Sequence, residues 1–515
     1  MIKTLLVAAR DRNRLGEILQ ITSRFGLGLL LAQLGLEKGD EGAKAGGGDN
    51  DPRSLPLRTR LALEELGPTF VKLGQILATR GDLLPPEWIA ELEQLHSRAP
   101  TLPFEQLRPA VEEALGAPPE DIFADFDPEP LAAASMAQIH RARLTDGQEV
   151  ILKIRRPDIR PRMAADLRLI AQGAALVEAA STAARRFAPV ALMRQLGDAV
   201  LGELDFTMEG RNADAMREDF AAEPRVDIPR IHWDWSSETL LVMDYIEGLP
   251  PRDADSLRAG GIDPEAIASL GADLVLDMVL VHGRFHGDPH PGNLLCLPGD
   301  RLALLDFGMI GHVSPRRREE FMAFVQSLAM GDPAQLTDIL AVWAEQSAGQ
   351  GVEAVPRAQI ALAADRLIAR HGRGRLVLRA LVGDFLPLMR EVGLTMPPDL
   401  LLIFKTLVTL DGVLTAICPD FDLSGAMERS SLRLVRARLS PEHWRPTLMA
   451  LAWELGRLGE DAPRLLRAAI RRLEAEPVDS TGAAALAPAL REGARWIAGG
   501  LITAAVMVAG ALMWR

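Results

Sequence analysis

Apolar residues recur at helical spacing through the first quarter of the chain. Residues 10–36 alternate apolar and polar groups with this period, and residues 55–125 do so again. Gly67-Pro68 and Pro85-Pro86 interrupt the second stretch, and such pairs break helices. Between the two stretches, EKGDEGAKAGGGDNDP (37–52) has the glycine-rich composition of a flexible linker. The pattern predicts an N-terminal helix, a linker and a separate helical segment.

The apolar spacing then changes to that of short strands. LAAASMAQIHRARL and QEVILKI, joined by Asp146-Gly147, predict a hairpin, and Asp-Gly suits a type I′ turn. A helical stretch over 158–219, a strand over 239–246 and a second hairpin from LLCL to RLALLDFG follow, and residues 315–475 are mainly helical. This order predicts an α+β protein with a small β-rich lobe before a larger helical lobe.

An uncharged apolar run lies near the C-terminus. WIAGGLITAAVMVAGALMW, from Trp496 to Trp514, would span about 28 Å as a helix, close to the ~30 Å of bilayer hydrocarbon. Several arginines, among them Arg495, precede it and Arg515 alone follows, so the positive-inside rule keeps the body cytoplasmic. The run predicts a single-pass transmembrane helix over 494–515; a buried core helix is the alternative.

Composition narrows the class of protein. A hydrophobic content of 48%, with 44 glycines and 35 prolines, is that of a globular protein. The net charge of −13 argues against nucleic acid as a partner. Cys296 and Cys418 have no metal-ligand spacing and offer no disulfide framework, which suits a reducing compartment.

A short loop between two apolar runs concentrates polar side chains. RFHGDPHPGNLL, starting at Arg284, contains His286, Asp288 and Asn293 among prolines and glycines that fix a bent backbone. Asp288 and Asn293 have the spacing of the protein-kinase catalytic loop H-R-D-x-x-x-x-N, with Gly287 in the arginine position. We interpret the loop as a catalytic site.

Two further elements stand in the order that phosphoryl transfer by a kinase requires. Asp306-Phe307-Gly308 lies thirteen residues beyond Asn293 at the end of a strand, and Lys153 lies inside the strand VILKI. Lys153 would balance charge on nucleotide phosphates, Asp306 and Asn293 would hold Mg²⁺, and Asp288 would orient the attacking hydroxyl or water. The constellation predicts a site for ATP or ADP with Mg²⁺.

Lysine is scarce in this sequence. Six lysines stand against fifty-one arginines, so arginine is the default cation, and a lysine marks a place that needs a compact ammonium. This argument supports functional roles for Lys153 and, in FVKLGQ, for Lys72. We interpret Lys3, Lys38 and Lys44 as chance exceptions.

The glycine-rich phosphate loop of kinases is missing. Ahead of Lys153, where G-x-G-x-x-G would stand, the sequence reads Ala132-Ala133-Ala134-Ser135, which we take as the corresponding nucleotide-binding segment. Alanine has a Cβ and resists positive φ, so this backbone is not expected to fold over phosphates as a glycine loop does. An alanine-rich strand and turn without a special role is the alternative.

Four motifs of the chain belong together: AAAS, Lys72-x-Gly74-Gln75, Glu203-Leu204-Asp205 and HGDPHPGN. In combination they resemble the UbiB family of atypical kinase-like proteins, which support ubiquinone biosynthesis. The resemblance covers roughly residues 15–440. It implies a bilobal protein-kinase-like fold with an N-terminal helical extension, ATPase activity stimulated by lipids and quinone-precursor-like molecules, and little protein kinase activity. Many members have two C-terminal membrane segments, whereas this sequence shows one.

The resemblance also implies roles for individual residues. Lys72 and Gln75 match the K-x-G-Q pair, on an extension that in the family folds over the site where a peptide substrate would bind. Glu203 and Asp205 match the E-x-D motif, and Glu209 matches the helix glutamate that pairs with the strand lysine. Asp205 and Glu209 are four residues apart, so they would share a helix face, and a cation between the lobes would relieve their repulsion. A solvated acidic face is the alternative.

The chain therefore divides into segments with different expected roles. They are an N-terminal helix and linker (1–54), the K-x-G-Q extension (55–125), a kinase-like N-lobe (126–246), a kinase-like C-lobe (247–440), a helical tail (441–493) and the transmembrane helix (494–515).

Three functions remain open at this point. The first is an atypical kinase or ATPase at a bacterial-type inner membrane, acting on a quinone-precursor-like small molecule or on ubiquinone-biosynthesis enzymes, with membrane lipid as a partner. The second is a nucleotide-binding pseudokinase scaffold, and the third is an ordinary protein kinase. Lys153, Asp288, Asn293 and Asp306 count against a scaffold, and the alanine segment counts against a protein kinase.

Overall fold

A computed structural model describes residues 11–26, 54–78, 80, 84–95, 100–180, 189–348, 355–372, 378–394, 396–421, 425, 426, 429, 430, 449 and 453. The chain divides into two compact units, Met1–Leu434 and Val435–Arg515. The predicted linker at 37–52 and transmembrane helix at 494–515 lie outside the described residues, as does the predicted tail apart from residues 449 and 453. All elements named below belong to the first unit.

Helices form the N-terminal part of this unit, as the apolar spacing predicts. They are α1 (Arg12–Arg24), α2 (Leu55–Leu66), α3 (Pro68–Ala78), α4 (Pro86–Leu92), α5 (Phe104–Leu115) and α6 (Pro119–Ile122). The break between α2 and α3 falls at Gly67, whose φ of +100° glycine adopts most readily. Helices α3 and α4 each begin with proline, which fits the first helical turn.

A buried aspartate joins the N-terminal helices to α7 (Ile159–Ala180). Asp166 on α7 is 1% exposed. Its carboxylate accepts hydrogen bonds from Arg14 of α1 at 2.5 Å and from the Thr69 hydroxyl of α3 at 2.7 Å. A buried carboxylate is tolerated only when its oxygens are paired, so these contacts fasten three helices to one another.

A five-stranded antiparallel sheet forms the small lobe, in the order β1-β3-β4-β6 with β2 paired to β3. The strands of the unit are β1 (Asp125–Phe126), β2 (Ala132–Ala133), β3 (Ala137–Arg143), β4 (Glu149–Arg155), β5 (Val226–Asp227), β6 (Leu240–Asp244), β7 (Arg284–His286), β8 (Leu294–Leu297), β9 (Arg301–Leu304) and β10 (Ile310–His312). On β4, Val150, Leu152 and Ile154 are at most 1% exposed and pack with α5. Because strand side chains alternate between faces, Lys153 points to the opposite side.

The hairpin between β3 and β4 is confirmed, but its turn is not the predicted type I′. A type I′ turn needs positive φ at both central residues, whereas Gly147 has φ +93° and Asp146 has no positive φ. Leu144 and Gln148 instead close a three-residue loop, with the Leu144 N–H donating to the Gln148 carbonyl at 2.8 Å. The Asp146 side chain accepts the Gln148 N–H at 2.9 Å, a local bond that holds Asp146 in an ordinary conformation.

The remaining helices of the unit form the larger lobe together with two small sheets, and the first two of these helices lead into that lobe. These helices are α8 (Pro189–Gly202), α9 (Phe206–Asp219), α10 (Ala254–Ala259), α11 (Pro264–Asp277), α12 (Pro315–Met330), α13 (Pro333–Ala348), α14 (Arg357–His371), α15 (Leu378–Val392) and α16 (Pro398–Ile417). One sheet has the order β5-β9-β8 and the other is the pair β10-β7. Phe324 centres an aromatic core, with its ring 5.3 Å from those of Trp343 and Phe385. The sheets carry the polar loop and the DFG triplet.

Helix α16 is the one helix among the described residues that is long and apolar enough to cross a bilayer. More than half of the apolar stretch of this helix is buried within the unit, and Leu400, Phe404 and Leu407 are at most 1% exposed. It packs against α11 and α15. It is therefore a core helix of the larger lobe, distinct from the predicted membrane helix at 494–515.

Gly74, the glycine of K-x-G-Q, lies where no side chain fits. A Cβ at this position would lie 2.2 Å from Leu95 Cδ1 and 2.9 Å from Leu63 Cδ1. Leu63, Leu92 and Leu95 belong to one apolar cluster of the extension. The glycine therefore lets α3 pack directly against the neighbouring helices.

We expect Gly74→Ala to lower the free energy of unfolding by about 1–3 kcal/mol, the usual effect of overpacking a core. Gly173→Ala on α7 is a matched control, because a Cβ there would meet nothing within 4 Å and alanine favours the helix by ~1 kcal/mol. Urea denaturation of both variants measures the difference. A Gly74→Ala protein as stable as the Gly173→Ala protein would contradict the packing argument.

Candidate active site

Lys153 of β4 and Glu209 of α9 form a buried ion pair. Lys153 Nζ donates to Glu209 Oε1 at 2.7 Å and to Oε2 at 2.8 Å, and the side chains are 14% and 6% exposed. Burial alone would lower the pKa of the Lys153 ammonium, but the carboxylates of Asp306 and Glu209 outweigh it and raise that pKa. The lysine therefore keeps its charge inside the protein.

Asp306 of the DFG triplet lies beside the same lysine. Its Oδ1 lies 3.7 Å from Lys153 Nζ and accepts the Gly308 N–H at 3.0 Å. Its φ of +52° is left-handed, a conformation that aspartate adopts more readily than most residues. Lys153 outweighs desolvation and lowers the pKa of the Asp306 carboxyl to about 2. Half of the side chain is exposed, so an ionised carboxylate faces the space between the lobes, which we call the cleft.

His286 holds the catalytic loop against the segment that leads to Asp306. The ring is 1% exposed; its Nδ1 accepts the Asp288 N–H at 3.1 Å, and its Nε2 donates to the Leu305 carbonyl at 3.0 Å. Burial lowers the pKa of His286, so the ring is neutral with its proton on Nε2. Asp288 is thereby fixed in the loop through its backbone, which leaves its carboxylate for other contacts.

Asn293 and Asp306 offer oxygen atoms suited to Mg²⁺. Asn293 Nδ2 donates to the Asp288 carbonyl at 3.1 Å, so the side-chain amide oxygen of Asn293 is the atom that remains for a ligand. The backbone carbonyl of Asn293 accepts the Leu305 N–H at 2.8 Å. Among the described residues, no three His, Cys, Asp or Glu side chains converge on a metal position. Mg²⁺ commonly combines one or two protein ligands with substrate phosphates, so these residues fit a metal that enters with a nucleotide.

Ala132–Ser135 form an edge strand and a turn. The first two residues pair with β3, and no residue of the segment has a positive φ. The Ala134 N–H donates to the Ala137 carbonyl at 2.8 Å, and Arg156 Nε donates to the Ala134 carbonyl at 3.0 Å. The backbone thus follows an ordinary path, without the left-handed residues of a glycine loop.

Lys72 brings the extension into the charged cluster of the cleft. Its Nζ lies 2.6 Å from Glu203 Oε1, and the two side chains are 17% and 13% exposed. Burial raises the pKa of the Glu203 carboxyl, and Lys72 opposes the rise. Lys72 also adds to the effect of Lys153 on the pKa of Asp306. Five predicted site residues therefore influence one another through their charges: Lys72, Lys153, Glu203, Glu209 and Asp306.

Two other predicted residues make contacts with the backbone. Gln75 Nε2 donates to the Leu95 carbonyl at 3.1 Å. Asp205 accepts the Thr207 N–H at 3.0 Å and the Thr207 hydroxyl at 2.7 Å. It is the N-cap of α9, which begins one residue later, so the expectation that Asp205 and Glu209 share a helix face is wrong. An extended aspartate before a helix is stabilised by the orphan N–H groups of the first turn.

Two residues of the site were missed by sequence reasoning. Lys405 on α16 places Nζ 3.3 Å from Asp288 Oδ1, and Asn212 on α9 donates from Nδ2 to the Phe307 carbonyl at 3.0 Å. The scarcity of lysine applies to Lys405 as it does to Lys153, so that signal was present. Asn212 follows Glu209 by three residues, and helical periodicity puts both on one face.

The arrangement defines a protein-kinase-like protein: a strand lysine paired with a helix glutamate in a small lobe, and a D-x-x-x-x-N loop followed by DFG in a helical lobe. Two family descriptions match the chain, the ABC1 atypical kinase-like domain over residues 94–340 and the UbiB helical domain over residues 376–422. The chain belongs to this UbiB family of atypical kinase-like proteins, which confirms the resemblance of its motifs.

Relatives of known sequence cover most of the chain. It is similar to "Probable protein kinase UbiB" of Marinobacter nauticus, at 32% identity over 88% of this chain and 84% of that protein. The protein of the same name in Pseudomonas paraeruginosa is 32% identical over 75% of this chain and 73% of its own length. Among solved structures, the Rv3197–erythromycin complex from Mycobacterium tuberculosis matches with a TM-score of 0.47 and 21% identity, covering 71% of this chain and 93% of that chain.

The neutral His286 should make the protein less stable in acid. Its folded pKa lies below the ordinary value, so below pH ~6.5 the unfolded chain binds a proton that the folded chain does not. The stability that the neutral His286 contributes is therefore present above pH ~6.5 and lost as the pH falls. The free energy of unfolding decreases through this group by at most about 1.4 kcal/mol per pH unit.

His286→Gln tests this, because a glutamine amide can still donate to the Leu305 carbonyl but does not titrate. Urea denaturation between about pH 5 and pH 8 should show a smaller acid loss for the variant than for the wild type. His140 and His282, whose pKa values burial also lowers, remain in both proteins as a common background. Parallel profiles would show that His286 is not a source of the pH dependence.

Proposed function

We propose that the chain is an atypical kinase or ATPase that binds Mg·nucleotide in the cleft and uses Asp288 to orient the group that attacks the terminal phosphate. The buried Lys153–Glu209 pair beside an ionised Asp306 is the observation that carries this proposal. The pair keeps the Lys153 ammonium charged and holds it in place beside the Asp306 carboxylate. The phosphates of a nucleotide require such a cation, and its metal ion requires such a carboxylate.

The reaction would be an in-line transfer. The acceptor oxygen, from a hydroxyl or from water, bonds to the γ-phosphorus while the bond from that phosphorus to ADP breaks, and ADP leaves with the electron pair. Asp288 accepts the hydrogen bond of the attacking O–H and takes up its proton. Lys153 balances phosphate charge throughout. Mg²⁺, held by Asn293 and Asp306, would neutralise charge on the phosphate oxygens when bound.

Two features favour a small acceptor or water over a protein substrate. Helix α3 of the extension puts Lys72 into the cleft cluster, where it pairs with Glu203, so the extension takes space that a peptide would need. The alanine segment has no positive φ, so its amides are not arranged in the manner of a protein-kinase glycine loop.

We further propose that the activity belongs to ubiquinone biosynthesis at a bacterial inner membrane. The similar proteins from Marinobacter nauticus and Pseudomonas paraeruginosa carry the name UbiB. The uncharged run from Trp496 to Trp514 would anchor the body on the cytoplasmic side, where apolar quinone precursors in the bilayer, or the enzymes that process them, are within reach.

Nucleotide binding and turnover should depend on different residues. Asp306→Asn removes the carboxylate that Lys153 keeps ionised, so we expect the rise in melting temperature caused by Mg·ATP to vanish. Asp288→Asn should keep that rise and lower phosphate release by about 10²–10⁴-fold, the usual effect of losing a positioning base. Scanning fluorimetry and steady-state phosphate release measure the two effects. Wild-type turnover by Asp288→Asn would show that Asp288 is not the positioning base, and binding without turnover by the wild type would favour a pseudokinase scaffold.

The proposed anchor can be tested by deleting residues 494–515. We expect a protein that leaves the membrane fraction, still shifts its melting temperature with Mg·ATP, and fails to restore quinone levels in a deletion strain. Cell fractionation and quinone profiling by lipid extraction measure these outcomes. Rescue at native expression would make anchoring dispensable, and a truncated chain that still sediments with membranes would place the anchor elsewhere.

A further inference from the structure

The lysines of the described residues share one kind of position. Lys72, Lys153 and Lys405 each place an ammonium next to a carboxylate of the cleft: Glu203 at 2.6 Å, Glu209 at 2.7 Å and Asp288 at 3.3 Å. Arginine is the default cation of the chain, with fifty-one arginines against six lysines. Lys405 is therefore a third place where a compact ammonium stands at the site, and neither the motifs nor the proposed mechanism has used it.

Helix α16 holds Lys405 close to the catalytic loop. The Thr406 hydroxyl, one residue on, donates to the His286 carbonyl at 3.3 Å, and this bond is buried. Leu402, one turn earlier, lies against the next loop residue, Gly287. Because α16 is a core helix of the larger lobe, it cannot move away from the loop without exposing apolar surface. Lys405 thus stays within reach of Asp288.

Asp288 poses an electrostatic problem in a site for phosphates. To orient an attacking O–H, the Asp288 carboxylate must lie near the terminal phosphate. The carboxylate and the phosphate are both anions and therefore repel each other. On one side, Asp288 Oδ2 lies 4.0 Å from His290 Nε2, a group that is charged only if protonated. On the other side, Oδ1 faces the Lys405 ammonium, and the two side chains are 27% and 34% exposed. Water therefore screens this pair only in part.

We propose that Lys405 is a positioning residue that holds the Asp288 carboxylate and neutralises it against the terminal phosphate of a bound nucleoside triphosphate. The inference rests on the proposed binding of nucleotide in the cleft. It implies that loss of Lys405 weakens triphosphate binding only while Asp288 keeps its charge. A lysine that merely stabilised the fold would show no such dependence.

Binding to the full chain in detergent, measured by isothermal titration calorimetry, tests the proposal without requiring turnover. The probes are Mg²⁺ with a non-hydrolysable ATP analogue, and Mg·ADP. We expect Lys405→Met to weaken analogue binding about tenfold and to change ADP binding less than about twofold, because only the triphosphate places charge beside Asp288. Asp288→Asn combined with Lys405→Met should restore analogue affinity to within about threefold of the wild type.

Two more variants serve as controls. Lys405→Arg keeps the positive charge without the compact ammonium, so it should bind the analogue more tightly than Lys405→Met and less tightly than the wild type. Arg379→Met removes a different cation, on α15, which is exposed and like Lys405 influences the Glu93 carboxyl of the extension but has no ion pair with Asp288. It should bind both nucleotides as the wild type does.

Three results would overturn the proposal. Unchanged analogue binding by Lys405→Met would show that the ammonium is not needed, and an equal loss for analogue and ADP would indicate a general structural role. A double variant no better than Lys405→Met would show that Lys405 acts without Asp288. If the variants show the expected binding pattern but the wild type hydrolyses no ATP, the proposed phosphoryl transfer is refuted and this inference stands.

Discussion

The Lys153–Glu209 ion pair is the interaction on which the rest of the site depends. Burying two charges costs several kcal/mol per ion unless each meets a well-placed partner, and contacts of 2.7 and 2.8 Å meet that condition. The pair fixes α9 against β4, and α9 in turn reaches the DFG segment through Asn212 and the Phe307 carbonyl. This one ion pair therefore fixes the position of the small lobe relative to the DFG segment. If α9 were displaced, a buried charge would be left without its partner.

The cleft is built from alternating charges, and this governs what it can bind. Lys72, Lys153 and Lys405 each face a carboxylate, so no large excess of one sign accumulates before a ligand arrives. An ammonium is a compact point charge on a flexible stem, which can turn from a carboxylate to a phosphate, whereas a guanidinium favours a fixed bidentate contact. This difference is consistent with lysines at the cleft of a chain so rich in arginine, and with the proposed ligand, which carries both anionic phosphates and a cation.

One departure from an ordinary protein kinase has its physical basis in the extension. Asp166 fastens α1 and α3 to α7 through Arg14 and Thr69, and Gly74 allows close packing of α3 against leucines of the extension. Moving α3 outward would break a buried carboxylate network and open an apolar cluster, so Lys72 is a fixed part of the cleft. With the alanine segment in an ordinary conformation, the proposed phosphate contacts would rest more on side-chain cations than on backbone amides.

The sequence by itself determined what depends on neighbours along the chain. The helix break at Gly67-Pro68, both hairpins and the order of Lys153, Asp288, Asn293 and Asp306 follow from local periodicity, turn chemistry and motif spacing. It did not determine the β3–β4 turn, since strand register decides between two and three loop residues, or that Asp205 caps α9. Apart from the Lys153–Glu209 pair, which the family resemblance implied, tertiary structure decided which partner each charge meets: Arg14 and Asp166 are 152 residues apart, and Lys405 reaches Asp288 from another helix. Local periodicity indicates which face of an element is apolar, but the packing of whole elements decides what lies opposite that face.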